Sequence, residues 1–160
     1  MVEATDLIKI EIFDAFVKKE LEELATVTKR KSCIKKDKIY QQGDRANHLY
    51  IITSGLISLV EFQPGNKIGI VFEERGRGQI FGCASFMKPR IHKLTAMCVE
   101  DAEILVIETD KFLDLFERDT DVGSKFLKKV NQIYFDLLYK LAKQQLHEMK
   151  IPEIITIVPK

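Results

Sequence analysis

Apolar positions between residues 7 and 28 recur at intervals of three and four: Ile12, Phe13, Phe16, Val17, Leu21, Leu24 and Val27, with Lys18, Lys19, Glu20, Glu22 and Glu23 between them. One apolar side and one charged side predict an amphipathic helix, with room for a break near Phe16. From Cys33 to Ile107 the rhythm changes to short apolar runs separated by glycine. Gly43-Asp44 precedes Leu49-Tyr50-Ile51-Ile52, Ser54-Gly55 precedes Leu56 to Phe62, and Gln63-Pro64-Gly65-Asn66 precedes Ile68, Ile70 and Phe72. In the last of these turns proline presets φ and glycine supplies positive φ, the pattern of a type II turn. Strands return at Leu94 to Val99 and at Glu103 to Glu108. Short strands with turns at roughly eight- to twelve-residue spacing predict a sandwich or barrel.

Thr109-Asp110 can cap a short helix carrying Phe112, Leu113, Leu115 and Phe116. A long helix follows from Val122 to Met149. Within it Leu127, Val130, Tyr134, Leu137 and Leu141 form a coiled-coil seam, and Phe126, Ile133 and Leu138 widen it into a second stripe. Such a helix has two surfaces to cover. Its own β domain takes one and a second copy fits the other, so a homodimer through this helix is expected; a broad face within one domain is the simpler alternative. No role is assigned to the tail, residues 150–160.

Composition narrows this picture. The chain has 160 residues, 46% apolar and 31% charged, with a net charge of +1. That length supports one domain with a core of its own, and the charge balance gives no global attraction to nucleic acid or membrane. The basic runs Lys29-Arg30-Lys31, Lys35-Lys36 and Lys128-Lys129 read as solvated surface. Cys33, Cys83 and Cys98 are too far apart for a zinc or thioredoxin motif. With no basic leader and no apolar span, the chain reads as cytosolic, with no membrane partner. No P-loop, G-x-S-x-G or H-E-x-x-H is present, and adjacent carboxylates such as Glu73-Glu74 point to opposite faces of a strand, so no enzyme is expected.

Two segments carry more. Lys35-Lys36-Asp37-Lys38-Ile39-Tyr40-Gln41-Gln42-Gly43-Asp44, followed by Leu49-Tyr50-Ile51-Ile52-Thr53-Ser54-Gly55, resembles the front half of the cyclic-nucleotide-binding domain of catabolite-activator-type (Crp/Fnr-like) regulators, kinase regulatory subunits and gated channels. Asp37 stands where that family has glycine. Gly78 to Ala96 resembles the family's phosphate-binding cassette. The resemblance covers about residues 10 to 145. It implies a mainly β fold with flanking helices: a double-stranded β-helix (a jelly-roll-like β-roll) with an N-terminal helix and a long C-terminal helix. The chain then reads as a single domain over 1–160: a helical segment at 7–30, the β-roll at 33–108, C-terminal helices at 109–149 and the tail.

The resemblance also implies a ligand site at Gly82, Cys83, Ala84 and Ser85, where a short helix start offers N–H groups to an anion, with Thr95 nearby. Two family contacts are replaced. Cys83 stands at the glutamate that accepts from the ribose hydroxyl, and a thiol is a poor acceptor. His92 stands at the arginine that clamps the phosphate and lacks its bidentate fork; with a gap in the loop, Arg90 or Lys93 supplies the charge instead. Losing the partner of a buried charge costs on the order of 2–5 kcal/mol, so the usual cyclic AMP contacts are not expected to hold. Three readings stay open: a cassette kept for its fold, a pocket for another anionic or nucleotide ligand, and a redox or haem site at Cys83 and His92. No cofactor follows with certainty. His48 is placed in a solvent-facing turn, His147 at the end of the long helix, and Cys33 and Cys98 as small buried hydrophobes. About ten residues follow Met149, too few for a helix-turn-helix, so direct DNA binding is not expected.

Overall fold

The computed structural model describes residues 1–63, 65 and 68–148. The N-terminal segment is three short pieces instead of one amphipathic helix: α1 (Ala4–Leu7), a 3₁₀ turn (Glu11–Phe13) and α2 (Lys18–Thr26). Glu20 explains the restart. Its Oε2 accepts the Val17 N–H at 2.7 Å, which caps a new helix beginning at Lys18. The helical part ends at Thr26, and the chain is already extended at β1 (Thr28–Cys33). Lys29, Arg30 and Lys31 are exposed as expected, but they lie on a strand.

Seven further strands follow: β2 (Lys38–Tyr40), β3 (His48–Ser54), β4 (Ile57–Phe62), β5 (Gly69–Arg75), β6 (Ile80–Phe81), β7 (Thr95–Cys98) and β8 (Ala102–Glu108). They form two antiparallel four-stranded sheets, ordered β1-β8-β3-β6 and β2-β7-β4-β5. This is the double-stranded β-roll. The Pro64 to Asn66 turn falls mostly outside the described residues, although Gly65 has the φ of +77° expected of it. At the turn before β2 the left-handed residue is Lys36, with φ +75°. Asp37 stabilises that turn through its side chain, which accepts the Ile34 N–H at 3.1 Å.

The inner strands of the first sheet, β3 and β8, are covered on both faces. Leu49, Ile51, Ile80, Leu105 and Ile107 face a helical layer with Phe13, Leu21, Leu24, Phe112 and Phe126. Tyr50, Ile52, Phe81 and Ile104 face the second sheet, with Ile57, Leu59, Ala96 and Cys98. This explains why β3 reads as a continuous apolar run and not as an alternating one.

Helices α3 (Thr109–Arg118) and α4 (Thr120–Glu148) close the fold. The predicted cap at Thr109-Asp110 is not made. Helix α3 starts one residue earlier in effect, with Glu108 at the cap position, and the Thr109 hydroxyl is buried without a hydrogen-bond partner. Phe112 sits at the centre of an aromatic cluster, its ring centroid 4.8 Å from Phe126, 4.7 Å from Phe116 and 6.4 Å from Phe13. The first part of α4 is fastened to the N-terminal pieces by Lys125 to Glu20 at 2.9 Å and by Lys129 to Glu11 at 3.0 Å. No helix among the described residues is long and apolar enough to cross a membrane.

Helix α4 does show apolar residues on two sides, with some exchanged between the expected stripes. Val130 and Ile133 pack against the domain's own core and Phe126 is buried in it. Leu127, Phe135, Leu138, Tyr139 and Leu141 are exposed, while Tyr134 and Leu137 are half-buried between the two sides. Residues 149–160 lie outside the described residues.

Candidate functional site

The cassette is a tight turn from β6 into a 3₁₀ helix at Cys83–Phe86. Gly82 makes it possible. Its φ is +82°, and a Cβ there would lie 2.6 Å from the Tyr50 ring and 2.8 Å from the His48 carbonyl oxygen. Within the turn the Ser85 N–H donates to the Gly82 carbonyl at 3.1 Å. Ala84 is half-buried, and Ser85 is fully buried with its hydroxyl unpartnered. His48 is not in a turn: it opens β3 opposite Glu108.

The four residues expected after the turn separate. Arg90 points to the rim, where it pairs with Asp110 at the start of α3, and Lys93 is exposed. His92 is buried, with its ring stacked on Tyr40 at 3.5 Å between centroids and 7° between planes. Its backbone is fixed to the opposite turn, accepting from Gly43 N–H and donating to the Asp44 carbonyl, both at 2.9 Å. Thr95 is buried, and its hydroxyl accepts the Gln42 N–H at 3.0 Å. Of the four, His92 and Thr95 therefore line the interior, and Arg90 and Lys93 do not.

Burial lowers the His92 pKa below its ordinary 6.5, with His48 adding to this and Asp44 partly opposing it. The ring is therefore a neutral stacking partner near pH 7 and no substitute for an arginine. The unfolded chain takes up a proton as pH falls through 6.5, and the folded chain resists. Folding stability contributed by His92 is therefore lost on acidification. His92→Phe keeps an aromatic ring but cannot titrate. Between about pH 7.5 and pH 5.5 the thermal midpoint of the wild type should fall relative to that of the variant. A constant gap between the two midpoints would show that His92 does not titrate differently on folding.

Tyr40, Tyr50 and Phe81 complete an aromatic wall, with Tyr50 and Phe81 stacked at 4.9 Å and Tyr40 and Tyr50 at 5.5 Å. Burial raises the pKa of both tyrosines, so they remain neutral phenols. The Cys83 thiol is likewise pushed up by burial, while the Tyr134 hydroxyl beside it and the Arg75 charge pull it down. Cys33 and Cys98 are buried together in the core of the roll, and burial beside Cys33 raises the Cys98 thiol. Cys98 is thus an inert thiol.

Arg75 is the residue that the linear reading missed. It ends β5, is 5% exposed, and its Nη1 donates to the Ile80 carbonyl while its Nη2 meets Glu73, both at 2.7 Å. The Tyr134 ring of α4 lies 6.0 Å from the guanidinium. A signal was available in the sequence: strand parity puts Arg75 on the same face as Glu73, a cation and a counter-charge two residues apart.

The architecture is a β-roll carrying a cassette-like turn beneath a long helix. Comparison with known proteins agrees: residues 30–119 match the cyclic nucleotide-binding domain family, and the chain belongs to it. A cyclic nucleotide-binding domain from Methylobacillus flagellatus shares the fold at a TM-score of 0.73 and 18% identity, covering 95% of this chain and 84% of that one. The regulatory domain of Toxoplasma gondii PKA, crystallised with cAMP, superposes at a TM-score of 0.64 and 20% identity over 88% of this chain and 48% of that one. Among curated proteins, lysophospholipase nte1 of Aspergillus fumigatus is 27% identical over 100 residues, 62% of this chain. The match spans only 6% of that enzyme's length.

Proposed function

We propose that this chain is a cytosolic, non-enzymatic regulatory domain that binds a small anionic or nucleotide ligand inside the β-roll and relays binding through α4. One observation carries the reading: the cassette turn packs directly on that helix. The Phe86 ring lies 5.5 Å from Phe126, and Cys83 lies against Tyr134. A ligand that prefers one position of the turn therefore favours one packing of α4 over another. The replaced glutamate and arginine positions argue that the contacts differ from those usual for cyclic AMP.

Calorimetry and thermal shift with cyclic AMP, cyclic GMP and cyclic dinucleotides test this. At a hundredfold excess over Kd, a ligand of the folded state stabilises by about 2.7 kcal/mol, a rise of roughly 5–10 °C in Tm. Absence of a saturable effect across that set would favour a second reading, a dimerisation or partner-docking module that keeps only the fold. The exposed stripe on α4 supports this one: Leu127, Phe135 and Leu138 are 54%, 68% and 64% exposed. Sedimentation should then show a dimer that Leu138→Glu converts to monomer; an unchanged mass would count against pairing through this stripe.

A further inference from the structure

Resting on the ligand-binding reading above, we propose that Arg75 anchors the ligand's anionic group and that Glu73 is an internal competitor for it. Arg75 replaces neither Arg90 nor His92 in the chain; it comes from the end of β5 and reaches the same interior.

Among the described residues it is the one lysine or arginine that is buried. Its side chain is only 6% exposed, yet its Nε is buried with no hydrogen-bond partner. A buried guanidinium with an idle donor is costly unless something completes it, and a planar fork suits a phosphate or carboxylate bidentately. The neighbours place it at the cassette. Its Nη1 reaches the Ile80 carbonyl, two residues before Gly82, and its guanidinium lies 6.0 Å from the ring of Tyr134, the residue that meets Cys83; its charge accordingly opposes the upward push of burial at Cys83 and Tyr134. An anion seated at Gly82 to Ser85 would therefore face Arg75.

Glu73 holds only one of the two Nη groups, and its side chain is 24% exposed, so its carboxylate can turn to water when another anion takes its place on Arg75. Ligand and Glu73 are then alternative partners of one cation, and the glutamate sets the threshold for binding. The aromatic wall beside this cation suits a flat ring attached to the anion, which narrows the ligand class to a phosphorylated or carboxylated heterocycle.

Backbone and Arg Nε–H NMR signals of the full chain, titrated with cyclic AMP and separately with inorganic phosphate, test the assignment. The wild type should show shifts at Gly82 to Ser85 and at the Arg75 Nε–H. Arg75→Gln should bind the same probe at least about tenfold more weakly. Glu73→Gln should bind it several-fold more tightly, a gain that an unfolded variant could not produce. If the turn responds in the wild type but Glu73→Gln gains nothing, or Arg75→Gln binds as well, the Arg75 assignment is overturned and the ligand reading stands. If neither probe shifts the turn in the wild type, both are overturned.

Discussion

Replacing Phe112 with alanine should cost about 3–5 kcal/mol, a fall of roughly 6–20 °C in thermal midpoint. The ring is fully buried. It contacts Phe13 of the N-terminal 3₁₀ turn, Phe86 of the cassette turn, and Phe116 and Phe126 of the two C-terminal helices. Removing it deletes transfer energy and leaves a void where four elements meet, and rigid sheet on one side limits collapse into that void. Against a typical total of about 5–15 kcal/mol this is a large share. Urea denaturation of both proteins measures it. A loss below about 1 kcal/mol would mean that the helical layer is looser than its ring geometry indicates.

Gly55→Ala should rival it, at about 3–5 kcal/mol, through an unrelated cause. Gly55 has φ +89°, and an added Cβ would lie 2.6 Å from both the Asp101 carbonyl oxygen and Ala102 Cβ, and 2.7 Å from Ala102 Cα. Those are backbone and near-backbone atoms at the start of β8, so relief requires moving a strand that pairs with both β1 and β3. Gly43→Ala separates the two contributions. Its φ is +91° but a Cβ there meets nothing within 4 Å. It should lose only the conformational part, about 1–2 kcal/mol. Equal losses in the two variants would show that β8 yields freely at Ala102.

Much of the roll was legible because its strands announce themselves. Leu49 to Ile52 and Ile104 to Ile107 are buried on both faces or nearly so and read as apolar runs, and glycine separates several of the strands. Strand β1 was harder. Only its ends, Thr28 and Cys33, are buried, so Lys29 to Ser32 reads as a charge run. The N-terminal segment misled for a different reason. Spacing of three and four residues serves a 3₁₀ turn and a short helix on one core equally well, and only Glu20 reaching back to Val17 marks the break.

At the site, the cassette turn could be located from Gly82 and its neighbours, since a left-handed residue pressed against Tyr50 leaves no other choice. The charges could not be placed. Arg90 and Lys93 sit near the turn in sequence but leave for the rim, because the backbone at Arg90 to His92 is tied to the outer turn at Gly43 to Ala46. Arg75 precedes the turn and enters the interior from another strand. Proximity along the chain was the wrong measure for a long side chain on a twisted sheet.

Glu20 carries a mechanical consequence. One of its oxygens caps α2 at Val17 and the other holds Lys125, while Lys129 grips Glu11 and Asp14 one turn further along. Sliding the start of α4 along the N-terminal pieces pulls on the same carboxylate that caps α2. The helix is thus clamped at its root like a lever, and Tyr134, which faces Cys83 and Arg75, lies just beyond the clamp. Under the proposed relay, a small displacement there would swing the remaining length of α4 and carry the exposed stripe at Leu138 to Leu141 with it.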